Sequence, residues 1–139
     1  MSTANSHSIP DLWPQEIVFT PVLSPLTILR HQAELLAEKS LGVLKAEVVT
    51  GGADKVVFHE FRLVAPSLDN YSRPLLIVRH DMDLPYPCSV LSDAFEQDHH
   101  DVDSPDQLMR SVARALSSGV TRSLINSLLA RISEQADVK

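Results

Sequence analysis

The chain has 139 residues, 44% of them hydrophobic and 22% charged, with a formal net charge of −6. That length fits one domain; the composition excludes a collagenous, coiled-coil or wholly disordered chain, and no apolar run approaches the roughly 18–20 residues that span a bilayer. An acidic balance also argues against a nucleic-acid surface, which needs clustered Lys and Arg to neutralise phosphates.

The charge is unevenly laid out. Residues 1–80 nearly balance, residues 81–106 hold eight acids and no Lys or Arg, and residues 107–139 are mildly basic. Residues 1–10 carry neither a basic stretch nor an apolar core, so they do not read as a secretory signal. With Cys88 as the single cysteine, a disulfide framework is excluded and a reducing, cytoplasmic setting is expected.

Residues 1–23 read as an arm. Pro10, Pro14 and Pro21 stop a helix from propagating, while Trp13 and Phe19 are its two anchors, for the chain's own core or for a partner. One domain is expected over 24–135, with a frayed tail at 136–139. Ser24-Pro25 opens the first helix as a cap followed by proline at the first helical position. Leu26, Leu29, Ala33 and Leu36 recur at helical spacing, widened by Ile28, Leu35 and Leu41. Gly42 suits the left-handed position that ends it.

The period then changes to two. Leu44, Ala46 and Val48 alternate with Lys45 and Glu47, and Gly51-Gly52 reads as the turn into a second strand, Val56 to Ala65. Val57, His59, Phe61 and Leu63 share a face there. Pro66 to Arg73, with Tyr71, reads as a polar loop. A third strand, Leu75 to His80, is apolar on both sides, which fits burial on both faces or a central position. A Pro-punctuated link leads to a fourth strand near Cys88 to Leu91. Ser92 to Asp103 reads as an acidic loop. Ser104-Pro105-Asp106-Gln107 is a capping box opening a helix with Leu108, Val112, Ala115 and Leu116 inward. Ser117-Ser118-Gly119 breaks it before a last helix carrying Leu124, Ile125, Leu128, Leu129 and Ile132. The expected fold is α+β: an N-terminal helix, an antiparallel meander of three or four strands, and two C-terminal helices.

Three clusters carry chemistry-bearing residues. The acidic loop offers Asp98, His99, His100, Asp101 and Asp103 as metal ligands, but their spacing matches neither an EF-hand nor a His-Glu-x-x-His site. His80-Asp81 ends a strand, unlike the helical His-Asp dyads of metal phosphohydrolases. His59 stands on the apolar side of its strand, and pairing with His80 would make a pH-sensitive element or a general base. Cys88, in a strand, reads as a small hydrophobe. Arg110 and Arg114, one helical turn apart, are expected to balance the acidic loop, the alternative being an acidic partner or phosphate. Serine-nucleophile and phosphate-cradling glycine motifs are absent.

The leading expectation is a non-enzymatic protein-interaction module without a cofactor, homodimeric, with Trp13, Phe19 and Tyr71 at the partner surface. The alternative is a small metal-assisted hydrolase built on His59, His80, Asp81 and the loop at 93–103. In build, though not by any motif, the chain resembles the small dimeric secretion chaperones, which implies a chaperone-like or adaptor-like binder of other proteins.

Overall fold

In a computed structural model, which describes residues 8–17 and 22–137, helix α1 (Pro25–Lys39) starts where the sequence places its cap. The Ser24 hydroxyl accepts the Thr27 N–H at 3.2 Å, and Pro25 occupies the first turn and is itself buried. The other end departs from expectation by one residue. Leu41, with φ +55°, takes the first left-handed position, and Gly42, with φ +79°, follows it. The Gly42 N–H donates to the Ala37 carbonyl at 2.8 Å and the Leu41 N–H to Glu38 at 3.2 Å, the paired bonds of a Schellman ending. Leu41 is therefore not part of the inward stripe; it is 91% exposed. A left-handed non-glycine residue costs roughly 1–2 kcal/mol, and glycine gives back only about 0.5–1 kcal/mol of that in chain entropy. Leu41→Gly is accordingly expected to stabilise the fold, by up to about 1 kcal/mol in urea titrations; a loss of stability would contradict this ending.

Five strands follow in a continuous antiparallel meander, ordered β1-β2-β3-β4-β5 in space as in sequence. They are β1 (Lys45–Ala53), β2 (Val56–Ala65), β3 (Tyr71–Asp81), β4 (Leu84–Leu91) and β5 (His100–Val102). The α+β class and the N-terminal helix stand as expected, and β3 is the middle strand. The count is one strand higher, because three residues of the acidic stretch pair with β4 through Cys88↔Val102, Ser89↔Asp101 and Val90↔His100.

Two turns lie elsewhere than the sequence suggests. Gly51 and Gly52 belong to β1, and the turn is Asp54-Lys55, whose φ values of +53° and +70° fit a two-residue hairpin of type I′. Gly51 serves a different need: a Cβ there would come within 2.8 Å of the Phe58 ring, which covers it. The expected polar loop at 66–73 shrinks to a 3-10 turn (Pro66–Leu68) and left-handed Asp69-Asn70, so β3 begins already at Tyr71. A bulge follows, in which Phe61 faces Leu76 and Arg62 faces Pro74, leaving Leu75 unpaired.

Helices α2 (Pro105–Leu116) and α3 (Gly119–Asp137) complete the chain. Ser104 caps α2 through the Gln107 N–H, as the capping box requires. Gly119 opens α3 rather than separating the helices, with Ser118 accepting the Thr121 N–H at 3.2 Å. Leu129 faces outward instead of inward. Period-two burial puts one sheet face against the helices. Phe61, Leu76, Val78, Cys88, Val90 and Val102 meet Ile28 and Leu29 of α1 and Leu108, Val112 and Ala115 of α2. A second cluster joins Leu44, Leu63 and Ala65 to Leu128 of α3. The alternate positions Val49, Phe58, Arg79 and Asp101 face away and are exposed. Among the described residues no helix is long and apolar enough to cross a membrane.

Candidate functional site

The antiparallel register decides which titratable groups meet. His59 on β2 lies opposite Val78 on β3, and Val57 lies opposite His80, so the two histidines are diagonal neighbours on the helix-facing side. Their Nε2 atoms are 3.0 Å apart and their rings 5.1 Å between centroids. Thr50, opposite His59 on β1, places its hydroxyl 2.8 Å from His59 Nδ1. His80 Nδ1 lies 2.6 Å from the Asp81 carbonyl oxygen. The pairing of His59 with His80 that the alternating pattern allows is therefore present.

Donor and acceptor rules give the chain of bonds a direction. A carbonyl only accepts, so His80 Nδ1 carries the proton and, in the neutral ring, Nε2 accepts. His59 Nε2–H then donates to His80, and His59 Nδ1 accepts the Thr50 hydroxyl. Three bonds satisfy both rings while both are neutral. Burial pushes the His59 pKa down, with the neighbouring His80 and then the Arg30 guanidinium adding to the effect. One more proton fits the hydrogen bonds if the Thr50 hydroxyl turns so that its oxygen accepts from His59 Nδ1–H, but it places a cation between the two rings where burial opposes it. A second would set two N–H groups against each other. The arrangement can hold a neutral pair and relay one proton between Thr50 and the rim of the sheet.

His80 also borders a groove of about 440 Å³ with Arg79, Asp81, Cys88, Ser89 and Asp101. Cys88 contributes no nucleophile there: it is buried in the core cluster, and burial, reinforced by the Asp103 carboxylate, pushes its thiol up to about 11. Asp81 orients His80 through its backbone carbonyl, not its carboxylate.

The acidic stretch is distributed over several places. Asp98 borders a hollow beside Leu75, Leu76 and Leu91. His99, His100 and Asp101 line a cleft against α2. Asp103 donates its backbone N–H to Gln107 at the start of α2. The His100 ring stacks on Phe95 with centroids 3.7 Å apart, and its Nδ1 is 3.0 Å from the buried Ser111 hydroxyl. His59, Val78, Val90 and His100 form one row across β2 to β5, so three strand spacings, about 14 Å, separate the two histidine sites. Among the described residues no group of three or more His, Cys, Asp or Glu side chains is placed to share a metal ion. Arg110 and Arg114 make no ion pair with the acidic stretch.

The arm's contribution divides. Trp13 is 74% and Leu12 82% exposed, and Ile9 and Ile17 are similarly bare. Phe19 lies outside the described residues. Tyr71 is half-exposed at the start of β3. The arm's base is fastened by Tyr86, whose hydroxyl donates to the Leu23 carbonyl at 2.8 Å and whose own pKa burial pushes up to about 12. Sequence reasoning misses Thr50, Phe95 and Ser111; only the position of the hairpin turn could have put Thr50 opposite His59. Comparison with known protein families, curated proteins and solved structures finds no match for this chain.

Proposed function

We propose that this chain is a homodimeric, non-enzymatic protein-interaction module, adaptor-like or chaperone-like in build, working in a reducing cytoplasm where Cys88 stays a thiol. One observation carries the reading: the arm exposes Ile9, Leu12, Trp13 and Ile17 to water, and the outer face of the sheet exposes Val49 and Phe58. Burying an apolar side chain gives roughly 1.5–3 kcal/mol. A symmetric pair brings two arms, so eight such side chains supply on the order of 12–24 kcal/mol, enough to offset the roughly 4–15 kcal/mol that association costs. Scattered apolar residues need no explanation, but four within nine residues on one arm make a contiguous patch of the kind that marks a contact surface. The net charge of −6 favours a protein over a nucleic acid as partner.

Sedimentation equilibrium of the full chain tests this. A dimer is expected, shifted toward monomer by Trp13→Ala and Leu12→Ala together. Monomer at every concentration, or a dimer indifferent to both substitutions, would overturn the role given to the arm. The hydrolase reading is less favoured: His80 is engaged by His59, and of the acidic stretch only Asp101 shares its groove.

A further inference from the structure

We propose that the cleft between β5 and α2 is an oxyanion site that takes a carboxylate or a phosphate on the guanidinium groups of Arg110 and Arg114. The cleft measures about 480 Å³, and both arginines line it together with Gln107, Ser111, His99 and Gln97. Four residues of helix rise about 6 Å, so the two guanidinium groups stand on one side of α2, where like charges at this spacing repel by roughly 0.2–0.5 kcal/mol. Asp106, one turn before Arg110 on the same row of the helix, offsets part of that repulsion, but among the described residues no carboxylate comes within ion-pair distance of either arginine. Among the described residues the ion pairs join Arg62 to Glu60 and Arg131 to Glu134, the His99 ring lies against Asp101, and neither Arg110 nor Arg114 is engaged. Counter-ions are not scarce, because eight acids stand in residues 81–106, directly before the helix. Of those acids only Asp101 lines the cleft, and it pairs with neither arginine, so two cations face an open cleft.

The remaining lining agrees. The one carboxylate there, Asp101, is held by the Ser89 hydroxyl at 2.9 Å and by His99 at 3.4 Å. The Gln107 side-chain oxygen already accepts the Asp103 N–H at 2.8 Å, which leaves its NH₂ as a donor. Stacking on Phe95 and the contact with Ser111 fix the His100 ring as a wall. Two planar forks one turn apart are suited to paired, charge-assisted bonds with the oxygens of a carboxylate or phosphate group. No arm residue lines the cleft, so the site is tested independently of the dimer.

The test is a ¹H–¹⁵N NMR titration of the full chain at constant ionic strength, with inorganic phosphate in one arm and a short glutamate-rich peptide in the other. Saturable shifts of the Arg110 and Arg114 side-chain Nε–H groups and the Ser111 amide are expected in at least one arm. The arm that saturates at lower concentration names the source of the oxyanion. Arg110→Gln with Arg114→Gln is expected to weaken binding roughly tenfold or more, the worth of one or two charge-assisted hydrogen bonds. Arg110→Lys with Arg114→Lys keeps the charge, loses the fork, and should fall between. Both arginines are exposed, so the variants are expected to fold. Shifts that stay linear in both arms, that map elsewhere, or that persist unchanged in the Gln variant would overturn the site.

Discussion

Phe61→Ala is expected to cost about 3–5 kcal/mol of folding stability, the range for emptying an aromatic position in a packed core. Phe61 is 2% exposed, sits on β2 between β1 and β3, and touches the cluster that joins α1 and α2 to the sheet. Because the helices lie on one face only, no second layer can move in to refill the space. A domain of this kind has about 5–15 kcal/mol in total, so the substitution removes a large share. Urea denaturation reads it directly, as a lower midpoint with an unchanged slope. Phe61→Leu keeps most of the volume and should cost much less. A loss under about 1 kcal/mol for Phe61→Ala would mean that β2 is not the spine of the core.

Acid sensitivity is the second large expectation. The His59 pKa is lowered in the folded chain, so the unfolded chain binds the proton more readily. Stability rises with pH wherever the unfolded state holds more protons. The contribution is therefore intact above the unfolded histidine value near 6.5 and is lost as pH falls toward the lowered folded value. The groups facing His59 are the Thr50 hydroxyl on β1, the His80 ring on β3 and the Arg30 guanidinium of α1; the two that are charged or chargeable, Arg30 and His80, both oppose a cation there. Urea midpoints measured from pH 7.5 down to pH 5 should fall in the parent chain, and fall less in His59→Leu. Thr50 is exposed and His80 half-exposed, so water can satisfy both in that variant. Equal pH slopes in parent and variant would sink the neutral-pair reading. ¹⁵N chemical shifts add a second readout: at neutral pH the proton belongs on His80 Nδ1 and His59 Nε2.

Local chemistry was legible where it acts over a few residues. Ser24-Pro25 and Ser104-Pro105 announced the starts of α1 and α2, and the alternation through His59, Phe61 and Leu63 gave the inward face of β2. Features set by distant residues were not legible. The triplet His100-Asp101-Val102 has only Val102 to favour a strand and becomes β5 by pairing with the edge of β4. A glycine pair normally signals a turn, yet here Gly51 lies under an aromatic ring three residues before the true turn. That displacement hid Thr50, and with it one end of the histidine relay. His59 and His80 were legible as members of one face, whereas their 3.0 Å contact required the register. Arg110 and Arg114 looked like partners for neighbouring acids because acidic and basic stretches adjoin in the sequence; that none of those carboxylates comes within ion-pair distance of either could not be seen from the chain.

Trp13 is the only tryptophan in the chain, so its fluorescence reports on the arm alone. An emission maximum that moves to shorter wavelength as the full chain is concentrated from nanomolar to high micromolar, in step with the growth of a dimer in sedimentation, is the predicted result. An indole that stays fully hydrated across that range would contradict the arm as an interface.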